Sequence, residues 1–134
     1  MAGYSGTPLA KKLGVKEGGR VVLLGAPGGF EETLEPLPPG VQVMRRAVGA
    51  IDVAVLFVKR GADLQKRFEK VAALLTPAGG LWIAWPKKSS GVATDLSFEL
   101  VQSVGLAAGL VDNKVCAIDD VWSGLRFVRR KADR

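Results

Sequence analysis

Apolar and polar positions along this chain form short hydrophobic runs that alternate with amphipathic stretches, and this pattern predicts strands joined by helices. Four runs predict strands at residues 20–24, 41–46, 52–58 and 81–85. The run at 52–58, DVAVLFV, is apolar on both faces, which is typical of a central strand in a parallel sheet. Two further segments, 114–118 and 121–130, predict a closing hairpin with Asp119 and Asp120 in its turn.

Helix signals separate the predicted strands. The predicted helices cover residues 7–13, residues 30–37, a segment that begins at Asp63 and is ended by Pro77, Gly79 and Gly80, and residues 96–110. Thr7 is predicted to be the N-cap of the first helix, with Pro8 at its first helical position. Either Thr94 or Asp95 would cap the last helix. The cations at positions 66, 67 and 70 are expected on the solvent side of the third helix.

Strands and helices in this order predict an α/β fold with three layers. Its centre would be a mostly parallel, open sheet of about six strands with right-handed crossovers and an antiparallel hairpin at one edge. The 134 residues are predicted to form one domain. Within it, residues 1–19 are an N-terminal helix with its lead-in, and residues 131–134 are a frayed tail.

Composition and charge limit the kinds of site and partner that we expect for this chain. Hydrophobic residues make up 48% of the chain, so we expect a packed core rather than disorder. The chain has no histidine and a single cysteine, Cys116, so we predict no metal site and place Cys116 in the core. The N-terminal residues lack the apolar segment of a signal peptide, which predicts a cytoplasmic protein with no membrane partner. The net charge of +6 favours anionic partners.

Several segments together resemble the class I S-adenosylmethionine-dependent methyltransferase fold. They are GGRVVLLGAPGGF, with a glycine-rich turn after the first strand, then DVAVLFV, LLTPAGGLWIAW and the final hairpin, so the resemblance runs from Gly18 to Arg130. It implies a Rossmann-like sheet and S-adenosylmethionine as the cofactor, bound at the glycine turn. The residues that it assigns to cofactor binding are Gly25, Ala26, Pro27, Gly28, Gly29 and Phe30.

The chain departs from this fold family at the second strand. An acidic residue usually ends that strand in the family and binds the ribose hydroxyls, whereas VQVMRRAV places Arg45 and Arg46 there. Few residues separate this strand from DVAVLFV, so one helix–strand unit is expected to be missing. Its loss would leave a sheet edge and an apolar face uncovered, which favours a homo-oligomer.

The chain as a whole also resembles a small bacterial family of domains of unknown function. The segments that carry this resemblance are YSGTPLAKKLG, LLGAPGGF, WPKKSSGVATDL and GLVDNKVCAIDDVWSGLR. This second resemblance implies a context and no mechanism.

Cations follow the ends of several predicted strands, at the edge where open parallel sheets bind ligands. They are Arg45, Arg46, Lys59, Arg60, Lys87 and Lys88. Two predicted helix N-termini, near Glu31 and Asp63, would add partial positive charge at the same edge. The pattern predicts an anion-accepting rim, although lysines at strand exits are also ordinary solvated loop residues.

The segment WPKKSSGVATD combines an aromatic ring, two lysines, two hydroxyls and a glycine before a helix. It could hold a phosphate group, or it could be a crossover loop that only caps the helix. The residues assigned to ligand binding, besides Arg45, Arg46 and Lys59, are Trp85, Lys87, Lys88, Ser89, Ser90 and Gly91.

No pattern of residues identifies a reaction. Without histidine, general-base work would fall to Glu31, Glu32, Asp95 or Asp119, each equally well explained as a helix or turn residue. The sequence therefore favours a non-enzymatic binding domain for an anionic, phosphate- or nucleotide-like ligand. A divergent S-adenosylmethionine-dependent methyltransferase and a nucleic-acid-associated protein are the alternatives.

Overall fold

The structure, a computed structural model, describes residues 7–134 and contains four α-helices and six strands in this part of the chain. The predicted lead-in at residues 1–6 lies outside the described residues. The helices are α1 Leu9–Lys12, α2 Phe30–Leu34, α3 Gly61–Ala72 and α4 Phe98–Ala107. The strands are β1 Arg20–Leu24, β2 Gln42–Met44, β3 Ile51–Phe57, β4 Leu75–Pro86, β5 Leu110–Ala117 and β6 Trp122–Arg129. Short 3-10 turns lie at Lys88–Ser90 and, in the predicted tail, at Lys131–Asp133.

All six strands form one sheet in the order β2-β1-β3-β4-β6-β5. Strands β1 to β4 are parallel, whereas β6 is antiparallel to both β4 and β5. Helices α1 and α2 bury their apolar residues on one face, and α3 and α4 bury theirs on the other. The predicted α/β fold with a mostly parallel sheet and a C-terminal antiparallel hairpin is confirmed.

Tight packing on the α1 face fixes the central strands beneath the loops. The fully buried Trp82 of β4 donates its indole N–H to the carbonyl of Leu13 at 2.9 Å, which attaches the end of α1 to the sheet. Phe30, Phe57 and Trp122 form a row of edge-to-face contacts, with ring centroids 4.9 and 5.0 Å apart. This aromatic row lies directly under the carboxyl ends of the strands.

The third helix ends earlier than predicted. Its last residue is Ala72, and Pro77, Gly79 and Gly80 lie inside β4, so the prediction that they end the helix was wrong. The β3–β4 register shifts between Ile51 and Val53, which lets the strand accommodate these residues. A Cβ on Gly79 would lie 2.9 Å from the carbonyl oxygen of Ile51, so this close backbone approach requires glycine.

Two predicted helix caps also differ from the structure. The N-cap of α1 is Pro8 rather than Thr7, and the N-cap of α4 is Ser97, whose hydroxyl accepts from the N–H of Leu100 at 3.2 Å. Asp95 instead caps α3, because its carboxylate accepts from the Gly61 N–H at 2.7 Å. Thr94 lies in the same crossover and donates its hydroxyl to the carbonyl of Lys59 at 2.6 Å.

The connection between β2 and β3 contains no helix. Residues 45–50 return across the α3 face of the sheet, where Met44 and Ala47 pack against the core. The guanidinium of Arg20 donates to the carbonyl of Val48 at 3.1 Å and so holds this segment. A complete crossover would place a helix on this face, and its absence leaves part of the face open beside α3.

The final hairpin forms as predicted, although β5 begins earlier than residue 114. Its turn is held by Asp119, whose carboxylate accepts from the N–H groups of Val121 and Trp122, each at 2.8 Å. Cys116 is half-buried and packs against the core on the α1 face. Within residues 7–134, no helix combines the length and the apolar character that crossing a bilayer needs.

Candidate functional site

The glycine turn after β1 lies against the end of β3. Gly25 has φ +70°, and a Cβ there would lie 3.0 Å from the carbonyl oxygen of Phe57. Gly29, with φ +82°, is the N-cap of α2, and the Phe30 N–H donates to the carbonyl of Pro27 at 3.2 Å. Glycine is therefore needed at both ends of the turn, where the backbone adopts a conformation that other residues rarely take.

A cavity of about 300 Å³, here called the loop cleft, opens beside this turn. Its lining comprises Gly25, Pro27, Phe57, Val58, Lys59, Asp63, Arg67 and Trp122. The turn backbone, two aromatic rings and three charged side chains thus meet at the carboxyl edge of the sheet. A small ligand with an apolar body and charged ends would match this combination.

A second cavity, of about 520 Å³, lies between the β2–β3 connection and α3 and is here called the basic groove. Its lining comprises Leu24, Arg45, Arg46, Ala47, Asp63, Lys66, Arg67, Lys70 and Val71. Asp63 and Arg67 line both cavities, so the loop cleft and the basic groove adjoin each other.

One cation of the basic groove has an acidic partner. Arg45 forms an ion pair of 2.7 Å with Glu31, and the two side chains are 59% and 43% exposed. An ion pair this exposed adds little stability, but it partly neutralises Arg45 and joins α2 to the segment after β2.

The structure places the residues of the glycine turn in different environments. Gly25 and Pro27 line the loop cleft, whereas a Cβ on Gly28 would meet open space. Phe30 is only 2% exposed and its side chain packs in the aromatic row, so a contact of Phe30 with a cofactor, which stays a prediction, would have to come from its backbone. Its apolar ring gains more from burial under the turn than from facing water.

Trp85 also differs from its expected role. Its side chain is 7% exposed and belongs to the core on the α3 face, which leaves little ring surface for stacking on a ligand. Trp122, from the hairpin, lines the loop cleft, but it is 8% exposed and so offers a ligand little more ring surface than Trp85.

The loop from Lys87 to Gly91 uses its polar groups internally. The N–H groups of Ser90 and Gly91 donate to the carbonyls of Lys87 and Lys88, and the N–H of Lys87 donates to Val121. The Ser90 hydroxyl donates to the Lys87 carbonyl at 2.6 Å and accepts from the Val92 N–H at 3.1 Å. Ser89 is exposed, and no residue of this loop lines the loop cleft or the basic groove. These hydrogen bonds favour the alternative of a crossover loop, and phosphate binding by this loop stays a prediction.

The two predicted helix N-termini contribute less positive charge to this edge than expected. Helix α2 has five residues, and the first N–H of α3 already bonds to the carboxylate of Asp95. Asp95 and Asp119 are both engaged with backbone N–H groups, so they serve as caps rather than as free general bases. Asp63 is instead the carboxylate that lines both cavities.

Sequence reasoning missed the contribution of α3 to this edge. Lys66, Arg67 and Lys70 face Arg45 and Arg46 across the basic groove. Lys70 is four residues from Lys66 and three from Arg67, so the three cations are neighbours on the helix surface. This spacing is the pattern in the sequence that could have indicated a cationic cluster. Within residues 7–134, no group of three or more Cys, Asp and Glu residues lies close enough together to hold a metal ion.

Comparison with solved structures shows similarity to methyltransferases. A SAM dependent methyltransferase from Aquifex aeolicus matches with TM-score 0.61 and 13% identity over 89% of this chain and 86% of that chain. The magnesium protoporphyrin IX methyltransferase from Synechocystis PCC 6803 with bound SAM gives 0.60 and 11%, over 91% and 74%. The fibrillarin pre-rRNA processing protein of Methanococcus jannaschii gives 0.61 and 15%, over 92% and 70%.

At these identities the similarity shows the fold, which is the Rossmann-like fold of methyltransferases. No protein-family model matches the chain, and no curated protein sequence is similar to it. The resemblance to a small bacterial family therefore stays a prediction.

Proposed function

We propose that this protein is a divergent S-adenosylmethionine-dependent methyltransferase that binds its cofactor in the loop cleft. The observation that carries this proposal is the position of the cleft, at the glycine turn after β1 and on the carboxyl edge of the sheet. In open α/β sheets this edge is where nucleotide-like ligands bind. Solved structures with the same fold include methyltransferases with bound SAM or SAH.

The residues of the loop cleft fit such a cofactor. Lys59 and Arg67 would hold its carboxylate, and Asp63 would accept hydrogen bonds from its ammonium group or its ribose hydroxyls. Asp63 would thus replace the acid that the second strand lacks, since exposed Arg45 and Arg46 follow β2. When bound, the cofactor supplies an electrophilic methyl group on a sulfonium centre.

A second candidate function, non-enzymatic binding of an anionic ligand at the same edge, is favoured by charge. Lys59 and Arg67 line the loop cleft with one carboxylate, Asp63, between the two cavities. Because cations weaken the binding of a positive sulfonium, this second candidate predicts tighter binding of a demethylated or phosphorylated ligand than of S-adenosylmethionine.

A thermal-shift and calorimetric titration tests the proposal with S-adenosylmethionine and S-adenosylhomocysteine. The informative variant is Lys59→Gln, and Lys88→Gln is its control, because both lysines are exposed and Lys88 lies outside both cavities. We expect either ligand to raise the melting temperature of the wild type and of Lys88→Gln, with a smaller rise for Lys59→Gln.

Other outcomes separate the candidate functions. A response to nucleotides or inorganic phosphate without any response to the adenosyl ligands would contradict the methyltransferase proposal and support the anion-binding domain. Strongly salt-dependent binding of DNA or RNA, with no small-molecule response, would contradict both and support a nucleic-acid-associated protein.

A further inference from the structure

The basic groove exists because the β2–β3 connection is short. Residues 45–50 cross the α3 face without a helix, so Leu24 and Val71 form an apolar floor between that segment and α3. Both floor residues are buried, and the cationic side chains stand around them. A groove of about 520 Å³ is within the size range of small-molecule sites.

The charges around the groove are poorly balanced. Five cationic side chains and one carboxylate line it. Within residues 7–134 the Arg45–Glu31 contact is the one ion pair, so Lys66, Arg67 and Lys70 have no paired acid. Lys66 and Lys70 are spaced four residues apart on α3, an arrangement in which like charges destabilise a helix. A bound anion would relieve this repulsion.

We infer that the basic groove holds the phosphate groups of a phosphorylated small molecule, whose remaining part points toward Asp63 and Arg67, beside the loop cleft. This inference rests on the proposed function only in that the same edge of the sheet binds the ligand. Arg67 lies at the junction of the two cavities, where a guanidinium can bind a phosphate group through two hydrogen bonds.

The arrangement favours a nucleotide-sized ligand over a nucleic acid. A protein that binds a nucleic-acid backbone typically has a stripe of cations across one face. Here the cations instead surround one concave site. Glu31 and Glu32 on α2, together with Asp63 and Glu69 beside the cations of α3, would repel a continuous phosphate chain.

Calorimetry with pyrophosphate, ATP, AMP and adenosine at low ionic strength tests the inference. The test variant is Lys66→Gln with Lys70→Gln, and the control is Lys87→Gln with Lys88→Gln, which makes the same change in net charge outside the groove. We expect ATP and pyrophosphate to bind the test variant about tenfold more weakly and the control nearly as tightly as the wild type. The affinity for adenosine, which lacks phosphate, should be the same in the wild type and in both variants.

Equal weakening in both variants would overturn the inference, because it would mean that only net charge matters. Tighter binding of single-stranded RNA than of ATP would also overturn it. Neither Lys66 nor Lys70 lies in the core, and circular dichroism of each variant checks the fold. The single variant Arg67→Gln gives a second, independent measure, and unchanged ATP affinity there would likewise refute the inference.

The result is separable from that for the proposed function. If S-adenosylhomocysteine binds and pyrophosphate does not, the phosphate site is refuted while the loop-cleft proposal stands. If pyrophosphate binds with the expected loss in the groove variant and the adenosyl ligands do not, the phosphate site stands and the methyltransferase proposal fails.

Discussion

Replacing Gly105 by alanine tests how closely α4 packs on the sheet. Gly105 is buried in the last turn of α4, and a Cβ there would overlap the ring of Phe127 on β6. Phe127 is itself fully buried and makes an edge-to-face contact with Phe68, whose ring centroid lies 5.3 Å away. The ring cannot retreat without displacing α3, so the helix must shift away from the sheet instead.

Two opposing effects set the size of the change. Alanine is favoured over glycine inside a helix by about 1 kcal/mol. Overpacking a well-filled core costs roughly 1–3 kcal/mol, and an overlap with a ring held on both sides belongs at or above the upper limit. We expect Gly105→Ala to lower the free energy of unfolding by about 2 kcal/mol, or the melting temperature by roughly 6–10 °C for a domain of this size.

Urea unfolding followed by tryptophan fluorescence measures this change, since Trp82, Trp85 and Trp122 are all buried in the folded chain. The difference between Ser103→Gly and Ser103→Ala, at an exposed position of α4, measures the helix preference alone. If Gly105→Ala is stabilising by the amount of that difference, the packing argument is refuted. Adding Phe127→Leu should recover part of the loss, with a coupling of about 1 kcal/mol.

Three further predictions concern capping and protonation. Arg129 donates to the carbonyls of Ala72 and Leu75 at 3.1 and 2.9 Å, so Arg129→Met should lower the free energy of unfolding by about 2 kcal/mol in the same urea assay. No change there would mean that water replaces both bonds without loss. Asp95→Ala should lower the free energy of unfolding by about 1 kcal/mol, because the first N–H of α3 loses its acceptor. An equal decrease in Asp120→Ala, at an exposed turn residue, would contradict this role of Asp95. Burial raises the pKa of the Cys116 thiol, more than nearby Lys12 and Lys114 lower it. The stabilisation from this shift is complete below the pKa that the Cys116 thiol has in the unfolded chain, and it is lost as pH rises through its pKa in the folded chain. Between about pH 8 and about pH 10, the free energy of unfolding should therefore fall more for the wild type than for Cys116→Ala. Parallel stability profiles for the two proteins would disprove this.

Much of the architecture could be predicted from the sequence because it depends on local pattern. The run Arg20–Leu24 forms β1 with the predicted bounds, and DVAVLFV is the buried central strand within one residue. The glycine turn lies where strand and turn signals placed it, since Gly25 and Gly29 adopt the positive φ that only glycine takes readily. The missing helix after β2 followed from chain length alone.

What only the tertiary structure decided depends on residues that are distant in sequence. Asp95 caps a helix that begins 34 residues earlier, and Phe30 and Trp85 are buried because neighbouring elements cover them. The predicted homo-oligomer stays a prediction.

The cations of the site show the same division between sequence and structure. Sequence placed Arg45 and Arg46 at the carboxyl edge of the sheet, from the strand that precedes them. It left Lys66, Arg67 and Lys70 on a solvated helix face, because the helical repeat tells which residues share a face and not what that face meets. Only the packing of α3 beside the short β2–β3 connection brings the two sets together around one groove.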